Sequence, residues 1–208
     1  MTIPIARLAI LISGSGSTMV NLARAIECGE LPARIKLVVA SRPDAAGIER
    51  ARATGLRCEV IARKAYSNTE AYSEALTRCL DAAGVDLICM AGYLCFWQIP
   101  NRWLGRTLNI HPSLLPDFGG RGMHGIRVHE AVIRSGALVS GCTVHYADNQ
   151  YDHGPIILQR RCPVLPDDTP ELLAARVFQE EMQAYPAAIV KAWTELRRRN
   201  DVLPGTSR

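Results

Sequence analysis

An asparagine and a histidine two residues apart, Asn109 and His111 in the stretch LNIHPSLLPD, are residue types with an immediate chemical use. An amide and an imidazole side by side form a pair of donors suited to an oxyanion developing at an acyl centre. The imidazole can also deliver a proton to a leaving group near neutral pH. A carboxylate to complete the set stands at Asp152, in the turn-like stretch NQYDHGPI. A carboxylate near an imidazole favours the charged ring and orients it. The sequence supplies these groups on loops able to converge, but spacing alone does not bring Asp152 to His111.

A second stretch, SGSGSTMVNL, reads as a Gly/Ser turn between a strand and a helix. Backbone N–H groups at a helix start, together with the helix dipole, make such a turn an anion site, and the Ser17 and Thr18 hydroxyls add hydrogen bonds. A P-loop is excluded, because G-x-x-x-x-G-K-[ST] is absent. As a dinucleotide fingerprint the stretch is incomplete, since Gly14 and Gly16 fit but Met19 holds the third glycine position. Ser41-Arg42 after the second strand keep an NADP reading open, with phosphate binding the favoured one.

These groups need elements to hold them. ARLAILISG is a near-continuous apolar run of the kind expected for a strand buried on both faces. Helical spacing follows at Met19, Leu22, Ala23 and Ile26. Strands at IKLVVAS, CEVIA and DLICMAG then alternate with helices over AAGIERARATG and TEAYSEALTRCLDAAG. This alternation predicts a Rossmann-like α/β fold, a mostly parallel twisted sheet with helices on both faces. The next strand delivers Asn109 and His111 to one side of the sheet, and Pro112 ends it. Both then sit at a carboxyl end, where open α/β sheets bind ligands. Beyond Pro116 come a Gly-rich loop, a helix near RVHEAVIRSG, two strands at SGCTVHYA and PIILQRRCPV, and a helix from about Pro170 to Arg199 capped by Thr169. A single domain over 1–208 is expected, with a phosphate-binding half over about 1–105 and a catalytic half over about 106–208.

With 48% hydrophobic residues, the chain can bury one substantial core. A net charge of +4 suits small anions. The basic residues are scattered without interleaved aromatics, which argues against nucleic acid, and Arg197-Arg198-Arg199 suits the end of the last helix. Seven cysteines without a C-x-x-C pair argue against a disulfide framework and fit a reducing, cytoplasmic setting. No apolar stretch reaches the roughly 18 residues of a membrane span. His124, His129, His145 and His153 lack zinc-motif spacing, so no metal is expected. No G-x-S-x-G elbow occurs.

Taken in order, LISGSGSTMVNL, SRPDAAGIERARATG, AGYL, LNIHPSLLPDF, GCTVHYADNQYDHGPIILQ and ARVFQEEMQAYP resemble the folate-dependent phosphoribosylglycinamide formyltransferases over nearly the whole length. The NIHPSLLP stretch followed by a D-x-GP turn is a signature of formyl transfer from 10-formyltetrahydrofolate. Relatives that act on methionyl-tRNA, on nucleotide sugars or as formyltetrahydrofolate deformylase share it. The short chain and the SGSGS loop favour the ribonucleotide enzymes, since the others typically carry an additional domain.

The resemblance implies a catalytic trio of Asn109, His111 and Asp152. It implies that Gly16, Ser17 and Thr18 hold the phosphate of glycinamide ribonucleotide, and Glu181 its ribose or glycinamide end. Leu94, Cys95, Phe96 and Trp97, with Asp148, Asn149, Gln150, Tyr151 and Asp152, would frame the pteridine pocket beside Asn109. It implies small-molecule substrates, 10-formyltetrahydrofolate as co-substrate, no tightly bound cofactor, no metal, and a monomer or homodimer. Relatives often carry asparagine at Thr18, arginine at Cys95 and Thr69, and histidine at Met182. Losing the two arginines weakens the expected grip on the folate's glutamate tail unless Arg63, Lys64 or Arg121 substitutes. The loop DFGGRGMHGIRVH is several residues longer than the commonest form. Deformylase activity is the alternative within formyl chemistry. A nucleotide-binding regulator and an NADP-dependent oxidoreductase are the alternatives outside it.

Overall fold

The computed structural model describes residues 4–202. Five strands, β1 (Ala6–Ile12), β2 (Ala33–Ala40), β3 (Cys58–Val60), β4 (Leu87–Met90) and β5 (Thr107–His111), pair in parallel. Two more, β6 (Val139–Tyr146) and β7 (Ile156–Pro163), complete the sheet in antiparallel fashion, in the order β3-β2-β1-β4-β5-β6-β7. The helices are α1 (Ser17–Glu27), α2 (Gly47–Ala53), α3 (Thr69–Ala82), α4 (Ile126–Arg134) and α5 (Pro170–Val202). The expected α/β architecture is observed. Short 3₁₀ turns at Arg63–Ala65 and Asn101–Trp103 carry too few residues for a periodic signal and were not anticipated.

Strand alternation divides the core between the two faces of the sheet. Leu8, Ile10 and Ile12 of β1 join residues of α1, α2 and α5, whereas Ala9 and Leu11 join Tyr72, Leu76 and Leu80 of α3. Residues on both faces are fully buried, which is why β1 reads as a continuous apolar run rather than an alternating one. The chain leaves β1 toward β2 on one side and returns to β4 on the other. The carboxyl ends of β1 and β4 therefore flank a switch point, where such sheets place their ligands. Ser13 ties the two ends together: its N–H donates to the Gly92 carbonyl, and its Oγ accepts from the Leu94 N–H at 2.9 Å.

Helix α5 crosses behind both halves. Thr169 caps it, Oγ1 accepting from the Leu172 N–H at 3.3 Å. It carries Pro186 inside it, which has no N–H to give the carbonyl of Met182. That carbonyl instead accepts from Asn21 Nδ2 of α1 at 3.0 Å, so the proline becomes a point of attachment between two helices. One turn away, the Tyr185 hydroxyl lies 2.9 Å from the Met90 carbonyl and 3.1 Å from that of Leu108. α5 is thus pinned to α1, β4 and β5 around the segment that carries Glu181.

Candidate active site

Residues at the carboxyl ends of β1, β4 and β5 line a cleft of about 670 Å³, closed by the 120–126 loop and by α5. A narrower cleft of about 80 Å³ opens beside it. Tyr93, Asn109, Tyr151 and Asp152 line both.

At this junction the structure brings Asn109, His111 and Asp152 together. Period-2 geometry puts the first two on one side of β5, as the sequence predicts. Asp152 arrives from the β6–β7 turn, where its φ of 51° is left-handed. The turn also needs Gly154, since a Cβ there would fall 1.8 Å from the Tyr146 carbonyl oxygen. Asp152 Oδ2 lies 3.4 Å from His111 Nδ1 and accepts from the Gly120 N–H at 2.9 Å. Its Oδ1 lies 3.3 Å from Asn109 Nδ2.

A fourth member, His145, escaped sequence reasoning, which weighed it only as a metal ligand. Antiparallel register sets it directly opposite Asn109, so both side chains share one face. Its Nδ1 is 3.0 Å from the Tyr146 carbonyl, which can only accept, so Nδ1 carries the proton. Nε2 is then a lone pair that accepts from Asn109 Nδ2 at 3.1 Å. Burial pushes the His145 imidazole down, in keeping with this neutral tautomer. Its 3.8 Å approach to Asp152 is accordingly not an ion pair. The outcome is a fixed Asn109 amide with one hydrogen on His145 and the other on Asp152.

His111 is held as firmly. Its Nε2 is 2.9 Å from the Phe118 carbonyl, so Nε2 is a donor while Nδ1 faces the carboxylate. Each ring nitrogen thus faces a protein acceptor. Phe118 sits at a φ of 56° at the start of the long Gly-rich loop.

The Gly/Ser turn enters the same cleft through Ser15, Ser17 and Thr18. Gly16 has a φ of 72°, and no side chain caps α1 from the N-cap; the Ser17 N–H makes a long 3.5 Å bond to Ser15 Oγ, and the N–H groups after it are left for a ligand. A Cβ on Gly16 would stand 2.8 Å from the Gly47 Cα, because α2 packs against the turn. Arg50 of α2 donates to Ser17 Oγ at 3.1 Å, putting a cation beside the uncapped helix start that the sequence did not reveal. Only the packing of α2 reveals it. Glu181, at the far wall, is enclosed by protein on most sides, and burial pushes its carboxyl up to about 7.

The residues expected around a pteridine divide between the two clefts. Cys95, Phe96, Trp97, Asp148, Gln150, Tyr151 and Asp152 line the narrow one, and Leu94 faces the wide one. The Phe96 and Tyr151 rings lie 5.4 Å apart. Trp97 is 2% exposed and donates from Nε1 to Thr77 Oγ1, so it chiefly anchors the wall. Asn149 faces neither cleft. Its amide bridges the backbone of Ile99, Oδ1 accepting at 2.7 Å and Nδ2 donating at 3.1 Å, and it braces the 148–152 turn against the 93–99 segment. Arg63 is already engaged with the Tyr66 carbonyl, Thr69 and the Tyr72 ring, whereas Arg121 lines the wide cleft. Among the described residues, no group of three or more His, Cys, Asp or Glu is arranged to hold a metal ion, and no helix is long and apolar enough to cross a membrane.

A family model described as formyl transferase matches residues 6–189. The phosphoribosylglycinamide formyltransferase of Haemophilus influenzae is 35% identical over 93% of this chain and 89% of its own length. The trifunctional purine biosynthetic protein adenosine-3 of Drosophila melanogaster is 40% identical over 88% of this chain. The chain spans only 14% to 18% of the length of such trifunctional relatives. Among solved structures, glycinamide ribonucleotide transformylase 1 from Symbiobacterium toebii superposes with a TM-score of 0.83 at 41% identity, covering 89% of this chain and 86% of that one.

Proposed function

The chain belongs to the formyl transferase family, and within that family we propose that it moves the formyl group of 10-formyltetrahydrofolate to the amine of glycinamide ribonucleotide, a step of purine biosynthesis. The observation that carries this reading is the convergence of Asn109, His111 and Asp152 where the two clefts meet. The wide cleft runs from this point to an anion-binding helix start, which suits the phosphate of a ribonucleotide. The narrow cleft, walled by Phe96 and Tyr151, suits a flat heterocycle. Residues up to about 105 then supply the phosphate site, and those beyond it the reaction centre, within one domain.

The chemistry follows from the donors. The substrate amine attacks the formyl carbon, forming a new C–N bond and a tetrahedral oxyanion. Asn109 Nδ2–H and the His111 ring donate to that oxygen. The Asn109 hydrogen on the longer 3.3 Å bond to Asp152 is the one most readily released to it. On the His111 side, the proton now given to the Phe118 carbonyl is transferred to the reaction. Collapse breaks the bond to the folate nitrogen, which gains one proton as the amine loses one. His111 carries that proton directly or through water, and Asp152 steadies the charged ring. The scheme uses 10-formyltetrahydrofolate as co-substrate and no tightly bound cofactor. The deciding assay follows loss of the formyl group with and without glycinamide ribonucleotide. Turnover only in its presence is expected. Equal turnover in its absence would make water the acceptor and the chain a deformylase.

A further inference from the structure

His129 is left over by this scheme. It lies on α4, is 4% exposed, and lines the wide cleft near the reaction centre. Its Nδ1 is buried with no hydrogen-bond partner. Leaving such a group unsatisfied costs about 1–3 kcal/mol of stability, and native proteins rarely retain that cost without a use. The nearest comparison is His145, equally buried, whose two nitrogens are both satisfied by protein groups. The two histidines also differ in outlook: His145 faces only the narrow cleft, His129 only the wide one.

We propose that His129 is a substrate-binding residue, a neutral imidazole whose hydrogen-bonding capacity is completed by the glycinamide end of the ribonucleotide in the wide cleft. The assignment rests on the ribonucleotide reading above and adds to it the residue that holds the acceptor amine in line. A neutral imidazole offers one donor and one acceptor. It can therefore take an N–H from the amine or amide and leave the amine lone pair free for attack. A charged ring would offer only donors and would repel an ammonium. Burial and the neighbouring His111 push the His129 imidazole down to about 4, so it stays neutral across the physiological range. His111 and His129 thus divide the work, one ring set between acceptors and the other kept uncharged.

The test compares the parent with His129→Phe and His129→Gln, measuring KM for each substrate, kcat, and the thermal midpoint. His129→Phe fills the volume without a polar atom. It is expected to raise KM for the ribonucleotide about tenfold, as for one lost hydrogen bond, with KM for the folate unchanged and the midpoint equal or higher. His129→Gln keeps a donor and an acceptor and is expected to recover part of that affinity. Should the phenylalanine variant fail to fold, calorimetric titration of the glutamine variant with ribonucleotide still decides, since an intermediate affinity is required. An unchanged ribonucleotide KM in a folded variant, or equal loss for both substrates, would overturn the assignment. A parent that ignores the ribonucleotide altogether would instead bring down the proposed function.

Discussion

Around the β1–α1 turn, the groups offered to the cleft are backbone N–H groups at an uncapped helix start, shaped by the left-handed Gly16. At the end of β5 they are side chains, each held by a neighbour: Asn109 by the His145 ring, His111 by the Phe118 carbonyl and the Asp152 carboxylate, and Asp152 by the Gly120 N–H. A helix dipole and a row of amides hold an anion whatever the surrounding side chains are. Acyl transfer needs a donor at one atom and a proton at another, and only side chains supply those. The first half should therefore tolerate side-chain change but not backbone change, whereas the second half should not tolerate change in the side chains that meet the reaction.

The largest effect should come from the second half. His111→Ala is expected to lower kcat by on the order of 10² to 10³, as for a lost oxyanion donor, and by more where proton transfer is lost as well. The thermal midpoint should move little, because the ring lies at the edge of a cleft rather than in the apolar core. Asp152→Asn keeps the shape and removes the charge, so kcat should fall with the fold intact. If either variant kept the parental kcat, the side-chain half of the contrast would be gone.

Glu181 lies on α5, which joins the two halves, and it tests the contrast through stability. Its folded carboxyl titrates near 7, above its ordinary 4.5. The native state then holds a proton that the unfolded chain has released, so stability falls as pH rises from about 4.5 through about 7 and stays lowered above that. At about 1.4 kcal/mol per unit the full effect is at most about 3–4 kcal/mol, and water reaching the cleft reduces it. Glu181→Gln should remove that slope and exceed the parent in stability at pH 8, as read from denaturation midpoints across pH. Parallel pH curves for the two proteins would show that the carboxyl is not strained.

In the first half, Gly16→Ala is the backbone test. It puts a Cβ 2.8 Å from Gly47 and asks a residue with a side chain to hold a φ of 72°, a conformation that costs about 1–2 kcal/mol. A rise of about tenfold in the ribonucleotide KM is expected, with the folate KM little changed. Equal effects on both substrates would place the turn outside the phosphate site.

Local and long-range features differed in how far they could be read from the sequence. The β-α alternation, the Gly/Ser turn and the strand-end pair are local features, and periodicity and turn chemistry fix those. What escaped was set by long-range packing. His145 depends on the β5–β6 register, which no composition reveals. Arg50 depends on α2 lying against the turn, and Asn149 on the segment it happens to brace. His129 is an ordinary member of an amphipathic helix until the cleft beside it is seen.

The smallest predicted effect sharpens the contrast most. Ser17 presents a hydroxyl at the start of α1, hydrogen-bonded by Arg50 at 3.1 Å and lying 3.0 Å from Ser15 Oγ. If the backbone carries the binding, Ser17→Ala keeps every N–H and removes only a half-buried neutral hydroxyl. Such a bond contributes about 0.5–1.5 kcal/mol at most. Arg50 would lose its partner but keep its charge beside the phosphate, which makes good part of the loss. The ribonucleotide KM should then rise by only about two- to fivefold, with kcat as in the parent. Salt should weaken ribonucleotide binding similarly in parent and variant, since the charges are the same in both. A rise of a hundredfold would mean that the hydroxyl rather than the backbone grips the phosphate, and the two halves would then work by the same means.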